Sequence, residues 1–348
     1  MMVLRKRTIS ICSVLILAFS VLGCSGKSQE ETTGVSDNKV SCSIAASVTA
    51  AGQMWDQQAD ALIQTLTAKS NGRFVANKIA AGMQGNSREL VEAVQMGIVD
   101  MAICGDMEIN IVTGNIGWAW TPFLITTYDQ VDKIYFGGWI NEKITKDLAS
   151  SGIVKIGNAE NEFRLCATIN KPIYSMKDFR GVKIRTPELN EIIMFYQKCG
   201  ALPVSISASE VMLALQQRTA DGLDNSIVNI KNMGVFDMIK YVIRTNHCYA
   251  GGSIICSQKF WNSLSDGDKQ MLKDACKENG DEYIAKYRQQ AEDLLADKHL
   301  TVIEPDVTFK KDLIRIGKSM LADLSTNYDP EILKKISDQM DKNIAEIH

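Results

Sequence analysis

Apolar residues recur along this chain at two spacings that alternate from segment to segment. Val40 to Ser47 alternates small and apolar positions as a strand does, and Trp55 to Ala68 carries Trp55, Ala59, Leu62, Ile63 and Leu66 at the spacing of one helix face. Asn71-Gly72 ends that helix. Arg73 to Ile79 reads as a second strand, Ser87 to Met96 as a helix with Leu90, Val91 and Val94 on one face, and Ile98 to Cys104 as a third strand. The order continues through strands at Gly152 to Gly157, Phe163 to Ile169 and Val182 to Arg185. Such alternation predicts an α/β fold, with mostly parallel sheet flanked by helices. Later, Ser265 with Asp268 three residues on marks a helix start. From Leu272 to Leu295 the apolar positions keep a helical period, almost to Lys298. About 30 residues at ~1.5 Å each make a rod of about 45 Å, long enough to bridge two lobes.

The first forty residues follow different rules. Arg5, Lys6 and Arg7 precede a nearly unbroken apolar run from Ile9 to Leu22, and Gly23-Cys24-Ser25 follows at once. This is the three-part pattern of a secretory signal, and the run is short of the ~20 residues that a membrane span needs. Val21-Leu22-Gly23-Cys24 resembles the bacterial lipobox, which implies that Cys24 becomes a diacylated N-terminus after removal of residues 1–23. Each buried methylene adds roughly 0.8 kcal/mol, so two or three acyl chains would hold a soluble domain at a bilayer. Residues 24–39 are polar, with Val35 their one large apolar side chain, and read as a flexible tether.

Composition narrows the partners. Of 348 residues, 45% are hydrophobic and 23% charged, enough for a substantial core and against a disordered or fibrous chain. That length suggests roughly two domains. The formal charge of -3 becomes -6 once the three cations of the leader are removed, and no basic block remains that could neutralise a run of phosphates, which argues against nucleic acid. Three His, and nine Cys without a C-x-x-C pair, make a zinc ribbon, a redox motif or a His-based catalytic relay poor explanations. Nor is there a G-x-S-x-G elbow, an H-E-x-x-H pair, a P-loop or a dinucleotide fingerprint, so the sequence does not read as an enzyme and implies no cofactor or metal. The Cys after Cys24 read as small buried apolar residues.

Between about Asn71 and Trp261 a series of short motifs stands in a telling order. They include Ser70-Asn71-Gly72-Arg73, Gly97 to Ala102, Thr121-Pro122-Phe123-Leu124, Glu162-Phe163-Arg164, Asp178 to Pro187, and Gly200-Ala201-Leu202-Pro203. Ser209-Glu210-Val211, Ala220-Asp221-Gly222 with Asn225, Thr245-Asn246-His247 and Lys259 to Leu264 complete the series. In this order the chain resembles the solute-binding proteins of tripartite ATP-independent periplasmic (TRAP) transporters, of the dicarboxylate-receptor (DctP) class. The resemblance implies a two-lobed periplasmic-binding-protein fold, with lobe I at residues 40–161 plus 250–288 and lobe II at 162–249 plus 289–348. The long helix would span both lobes, and a small organic anion would bind between them.

Residue chemistry agrees with that expectation. Lys183 and Arg185 share one face of their strand while Ile184 points into the core, and Pro187 ends the strand beyond Arg185. Strand ends of this kind line ligand crevices, and a guanidinium matches a carboxylate with two parallel donors and stays charged when water is excluded. The resemblance implies that Arg185 holds the ligand carboxylate, with Arg164 as a second contact, Asn225 reaching the ligand with its amide, and Asp224 beside it also among the ligand-binding residues. Arg164 shares a strand face with Glu162, which could instead neutralise it. Asp106 and Glu108, in the loop after the third strand, offer acceptors for hydroxyls or an ammonium. Trp55 and Trp120 offer ring faces, although core packing explains a Trp equally well. Ala208 stands where sialic-acid receptors carry a bulky aromatic, and Glu210 opens a helix where a carboxylate suits the N-terminus.

The function implied is a monomeric, lipid-anchored extracytoplasmic receptor, in a periplasm or on the outer face of the cell membrane. It would deliver a carboxylate, best read as a uronate or aldonate, to the membrane subunits of a permease. Alternatives are a C4-dicarboxylate or an aromatic or keto acid as substrate, or a same-fold receptor for a sensor kinase.

Overall fold

The computed structural model describes residues 38–346 apart from Thr49 and Thr326. The signal segment, Cys24 and nearly all of the tether lie outside the described residues. Among the described residues nine strands form a single sheet: β1 (Val40–Ala46), β2 (Phe74–Lys78), β3 (Met101–Gly105), β4 (Ile153–Thr168), β5 (Lys183–Thr186), β6 (Leu202–Ser205), β7 (Gly222–Asn225), β8 (Tyr241–Ser257) and β9 (Thr301–Ile303). Their order is β2-β1-β3-β8-β4-β7-β5-β6, with β9 beside β8.

The outer strands run parallel, as the βαβ pattern predicts. The centre does not. β8 lies antiparallel to β3 and β4, and β4 antiparallel to β7. The expected strands at 152–157 and 163–169 are one 16-residue strand, β4, and β8 is 17 residues long. Both therefore run through the two ends of the sheet. β4 pairs with β8 from Ile153↔Ser257, where β8 also meets β3, to Thr168↔Tyr241, where β4 also meets β7. The expected lobe boundaries at 161/162 and 249/250 fall inside these two strands, where their pairing shifts register between Glu160 and Phe163.

Alternate residues of the inner strands feed two apolar clusters, one per sheet face, as a period of two requires. Met101, Ile103, Ile254 and Cys256 join Leu62, Leu66 and Leu272 on one face. Ala102, Cys104 and Ile255 join Leu90, Val94 and Trp120 on the other. The first helix, Met54–Lys69, ends in Asn71 and Gly72, both at positive φ, and the helix Ser87–Gln95 buries Leu90, Val91 and Val94. Ser265 caps the 30-residue helix Asp266–Leu295 by accepting from the Asp268 amide. That helix touches the first helix through Asn279, which donates to the Gln58 carbonyl, and reaches β8 through Arg244–Glu292. The seven Cys among the described residues are all buried and unpaired, as small apolar residues would be. No helix among the described residues is long and apolar enough to cross a membrane.

Candidate functional site

A cavity of about 800 Å³ opens between the two ends of the sheet. Arg185 enters it from β5, where Ile184 is fully buried on the opposite face. Arg185 is 3% exposed, its Nε donates to the Ile206 carbonyl (2.8 Å), and its two terminal nitrogens make no hydrogen bond or ion pair among the described residues. Burial, then the charge of Arg164, lowers its pKa to about 10. A buried guanidinium left with free donors is costly unless an anion arrives to meet it.

Arg164 also lines the cavity but is already paired. Its Nε donates to Asp224 Oδ1 (2.5 Å), one terminal nitrogen to the Asp224 carbonyl (2.9 Å), and the other to Asn225 Oδ1 (3.2 Å). The guanidinium stands 5.7 Å from the centre of the Trp120 ring. Asp224 itself is fully buried and absent from the cavity lining. It accepts from Tyr196 (3.1 Å) and lies 2.8 Å from His247 Nε2. Burial alone would raise its carboxyl, but the charges of Arg164 and His247 outweigh it and hold the pKa down to about 2. Asp224 thus positions Arg164 rather than facing a ligand. Asn225, from the end of β7, reaches the cavity.

Glu162 does not neutralise Arg164. The register shift between Glu160 and Phe163, with Glu162 at φ 72°, breaks the alternation that would put residues 162 and 164 on one face. Glu162 is instead buried with one oxygen unpartnered, and burial followed by the charge of Glu160 raises its pKa well above the ordinary range.

From the other side come Trp55, Glu108 and Trp120. Residues 106–113 form a helix, not the expected loop. Glu108 lies in its first turn, and one carboxylate oxygen is buried without a partner. Burial pushes Glu108 up to about 7, against the charge of Arg164. Asp106, two residues earlier in the same turn, is fully buried outside the cavity lining, where it accepts from Tyr135 (2.8 Å) and Ser253 (2.6 Å). Its acceptors are filled by the protein, so it stands where it can brace the helix but not meet a ligand. Trp120 is fully buried with an unpartnered indole nitrogen. Trp55 donates to the Glu160 carbonyl (3.0 Å) and shows an edge to the cavity. Ala208 lines it too. Glu210 does not; it accepts from Ser207 at the start of its helix.

Sequence reasoning missed Asn161 and Asn229, which line the cavity; the Asn229 amide nitrogen donates to Asn161 Oδ1 (2.7 Å). The available signal was the polar run Asn158 to Glu162 inside an otherwise apolar strand. No group of His, Cys, Asp and Glu among the described residues could hold a metal ion.

Residues 45–316 match the family described as bacterial extracellular solute-binding protein, family 7. The chain belongs to this family. Members are binding proteins rather than enzymes, and the TRAP resemblance read from the motifs agrees. By sequence, the sialic acid-binding periplasmic protein SiaP of Vibrio cholerae is 25% identical over 262 residues, 74% of this chain and 80% of its own length. By structure, a TRAP periplasmic solute-binding protein from Ochrobactrum anthropi superposes with a TM-score of 0.82 at 22% identity, over 89% of this chain and 98% of that one. Another, from Haemophilus influenzae with bound L-gulonate, gives 0.76 at 22% identity over 86% and 99%. These likenesses establish the two-lobed TRAP receptor fold. His247 and Asp224, distant in sequence, belong to the frame that holds Arg164 in place.

Proposed function

We propose that this family 7 protein is a lipid-anchored receptor that closes on a hydroxylated monocarboxylate, a sugar acid of the aldonate or uronate kind, and hands it to a TRAP permease. In this reading the lobes are residues 40–161 plus 250–288 and 162–249 plus 289–348, and Cys24 carries the anchor. The observation behind it is Arg185: a buried cation with free donors, facing a cavity of about 800 Å³. Arg185 takes the carboxylate bidentately, while Arg164, already balanced by Asp224, adds hydrogen bonds and little net charge. Asn225, Glu108 and the Asn161–Asn229 pair supply partners for hydroxyls, and Trp120 and Trp55 supply apolar surface.

Glu108 favours a monoacid over a C4-dicarboxylate. A second carboxylate would enter a cavity whose one unpaired cation among the described residues is already engaged, beside an acid that resists further negative charge. The L-gulonate bound by the Haemophilus influenzae protein is of the favoured chemical class. Micromolar affinity needs about -8 kcal/mol, more than one ion pair supplies, so hydroxyl contacts and water exclusion on closure contribute the rest.

Calorimetric titration with L-gulonate, D-glucuronate, succinate and an aromatic acid tests the reading. Sugar acids should bind, and Arg185→Ala should abolish that binding. Near-native affinity in Arg185→Ala, or binding of uncharged sugars alone, would sink it.

A further inference from the structure

A second cavity, of about 510 Å³, shares no lining residue with the first. It lies against the early part of β4, where that strand is the edge of the sheet: β8 flanks it from Ile153, but β7 joins its other side only at Leu165. The helix Trp139–Ser150 contributes Asn141 to one wall, and the 30-residue helix contributes Lys273 and Gly280 to the other. Gly280 allows that approach, since a Cβ there would stand 2.7 Å from the Asn158 carbonyl oxygen.

Lys155 projects from β4 into this lining and is 7% exposed. Its Nζ has no hydrogen-bond partner and no acid paired with it among the described residues, and the amide oxygens of Asn141 and Asn158 are likewise buried and unpartnered. The acids around the cavity are engaged elsewhere: Asp132 by Arg288 (2.7 Å), Asp281 by Lys277 (2.5 Å) and Asp274 by the Gln270 amide (2.9 Å). Lys273 lies over the Trp261 ring at 5.2 Å. The cavity thus presents a buried cation without a counter-ion and two amide acceptors without donors. Burial lowers the pKa of Lys155, with the charge of Asp106 opposing, so an anion placed on the amine would relieve a desolvated charge.

We propose that this cavity is a second ligand site, which takes a small hydroxylated anion with its charged group on Lys155 and its hydroxyls on Asn141 and Asn158. A phosphate ester of a short polyol and a short hydroxy acid share that chemistry. The size is within the usual range of small-molecule sites.

The test uses the full chain carrying Arg185→Ala, which silences the first cavity, titrated by calorimetry with glycerol 3-phosphate and separately with D-glycerate. One of the two should bind with a stoichiometry of about one site, and which one does identifies the anionic group. Lys155→Met in the same background should weaken that binding about tenfold or more, the loss of a charge-assisted contact. Asn141→Ala should weaken it less, and serves in place of Lys155→Met if that variant does not fold. Should neither probe bind the Arg185→Ala chain, or should Lys155→Met bind as its parent does, the cavity is only a solvent-filled edge of the sheet. Because both outcomes are read without the first cavity, they are independent of what Arg185 binds.

Discussion

Arg185→Met should separate stability from function, with opposite signs in two assays. In the empty protein Arg185 is buried, its two terminal nitrogens make no hydrogen bond among the described residues, and its pKa has fallen from the ordinary value of about 12.5 to about 10. At ~1.4 kcal/mol per pH unit, that gap corresponds to about 3 kcal/mol of strain on the folded state. Both states carry the charged form below pH 10, so the penalty is fully present at neutral pH and fades only as pH rises through the folded-state value. Methionine keeps the apolar stem but forfeits the hydrogen bond to Ile206, which offsets about 1.5 kcal/mol. The net gain is about 1–2 kcal/mol, a few degrees in Tm for a chain of this size. Urea unfolding of ligand-free protein at pH 6, 7.5 and 9 should show the variant more stable by a constant margin, while sugar-acid binding is lost. A loss of more than about 1 kcal/mol would refute the reasoning: the charge would then be compensated in the empty protein, and Arg185 would be a structural residue.

Three further outcomes follow from the same geometry. Asp224→Asn leaves Arg164 and His247 without their acid and should cost about 3–5 kcal/mol in unfolding experiments. In the wild type the stability from this carboxylate is complete above about pH 4 and lost as pH falls through about 2, so acid unfolding of the variant should lack that step. Glu108, which titrates at about 7, accepts a ligand hydroxyl best when ionised, so affinity for a sugar acid should fall from pH 8 to pH 6 and become flat in Glu108→Gln; a pH-independent wild type would remove Glu108 from the site. Gly280→Ala should destabilise, although helix propensity alone favours Ala by about 1 kcal/mol. The new methyl would lie 2.7 Å from the Asn158 carbonyl, and an unchanged denaturation midpoint would show that the helix can shift at no cost.

What could be read from the residues was local. The helix faces at 55–68 and 87–96, the Ser265 cap and the length of the 30-residue helix depend on neighbours within a few turns, and the structure reproduces them. The helix at 106–113 was hidden because acids in a first turn look the same as acids in a loop; only the buried Asp106 with Tyr135 and Ser253 shows what anchors it. The continuity of β4 was hidden for a related reason. Asn158 to Glu162 looks like a polar break, yet these residues sit inside the strand, and distant groups meet two of them: Arg288 and Tyr249 meet Glu160, and Asn229 meets Asn161.

The irregularity at residues 160–163 is also where the sequence argument about Arg164 failed, and the failure is informative about the site. Strict alternation would place Arg164 beside Glu162, giving a neutral pair and leaving Asp224 free to face the cavity. Glu162 at positive φ shifts the register by the width of the bulge, so Arg164 turns to Asp224 and Asn225 on β7 instead. One arginine is thereby balanced within the protein and the other is not. Had Glu162 paired with Arg164, Asp224 could have competed with the ligand for Arg185. The bulge therefore does more than bend a long strand near the proposed lobe boundary: it assigns the buried acid to Arg164 and leaves Arg185 without an acid partner among the described residues, as the proposed anion site requires.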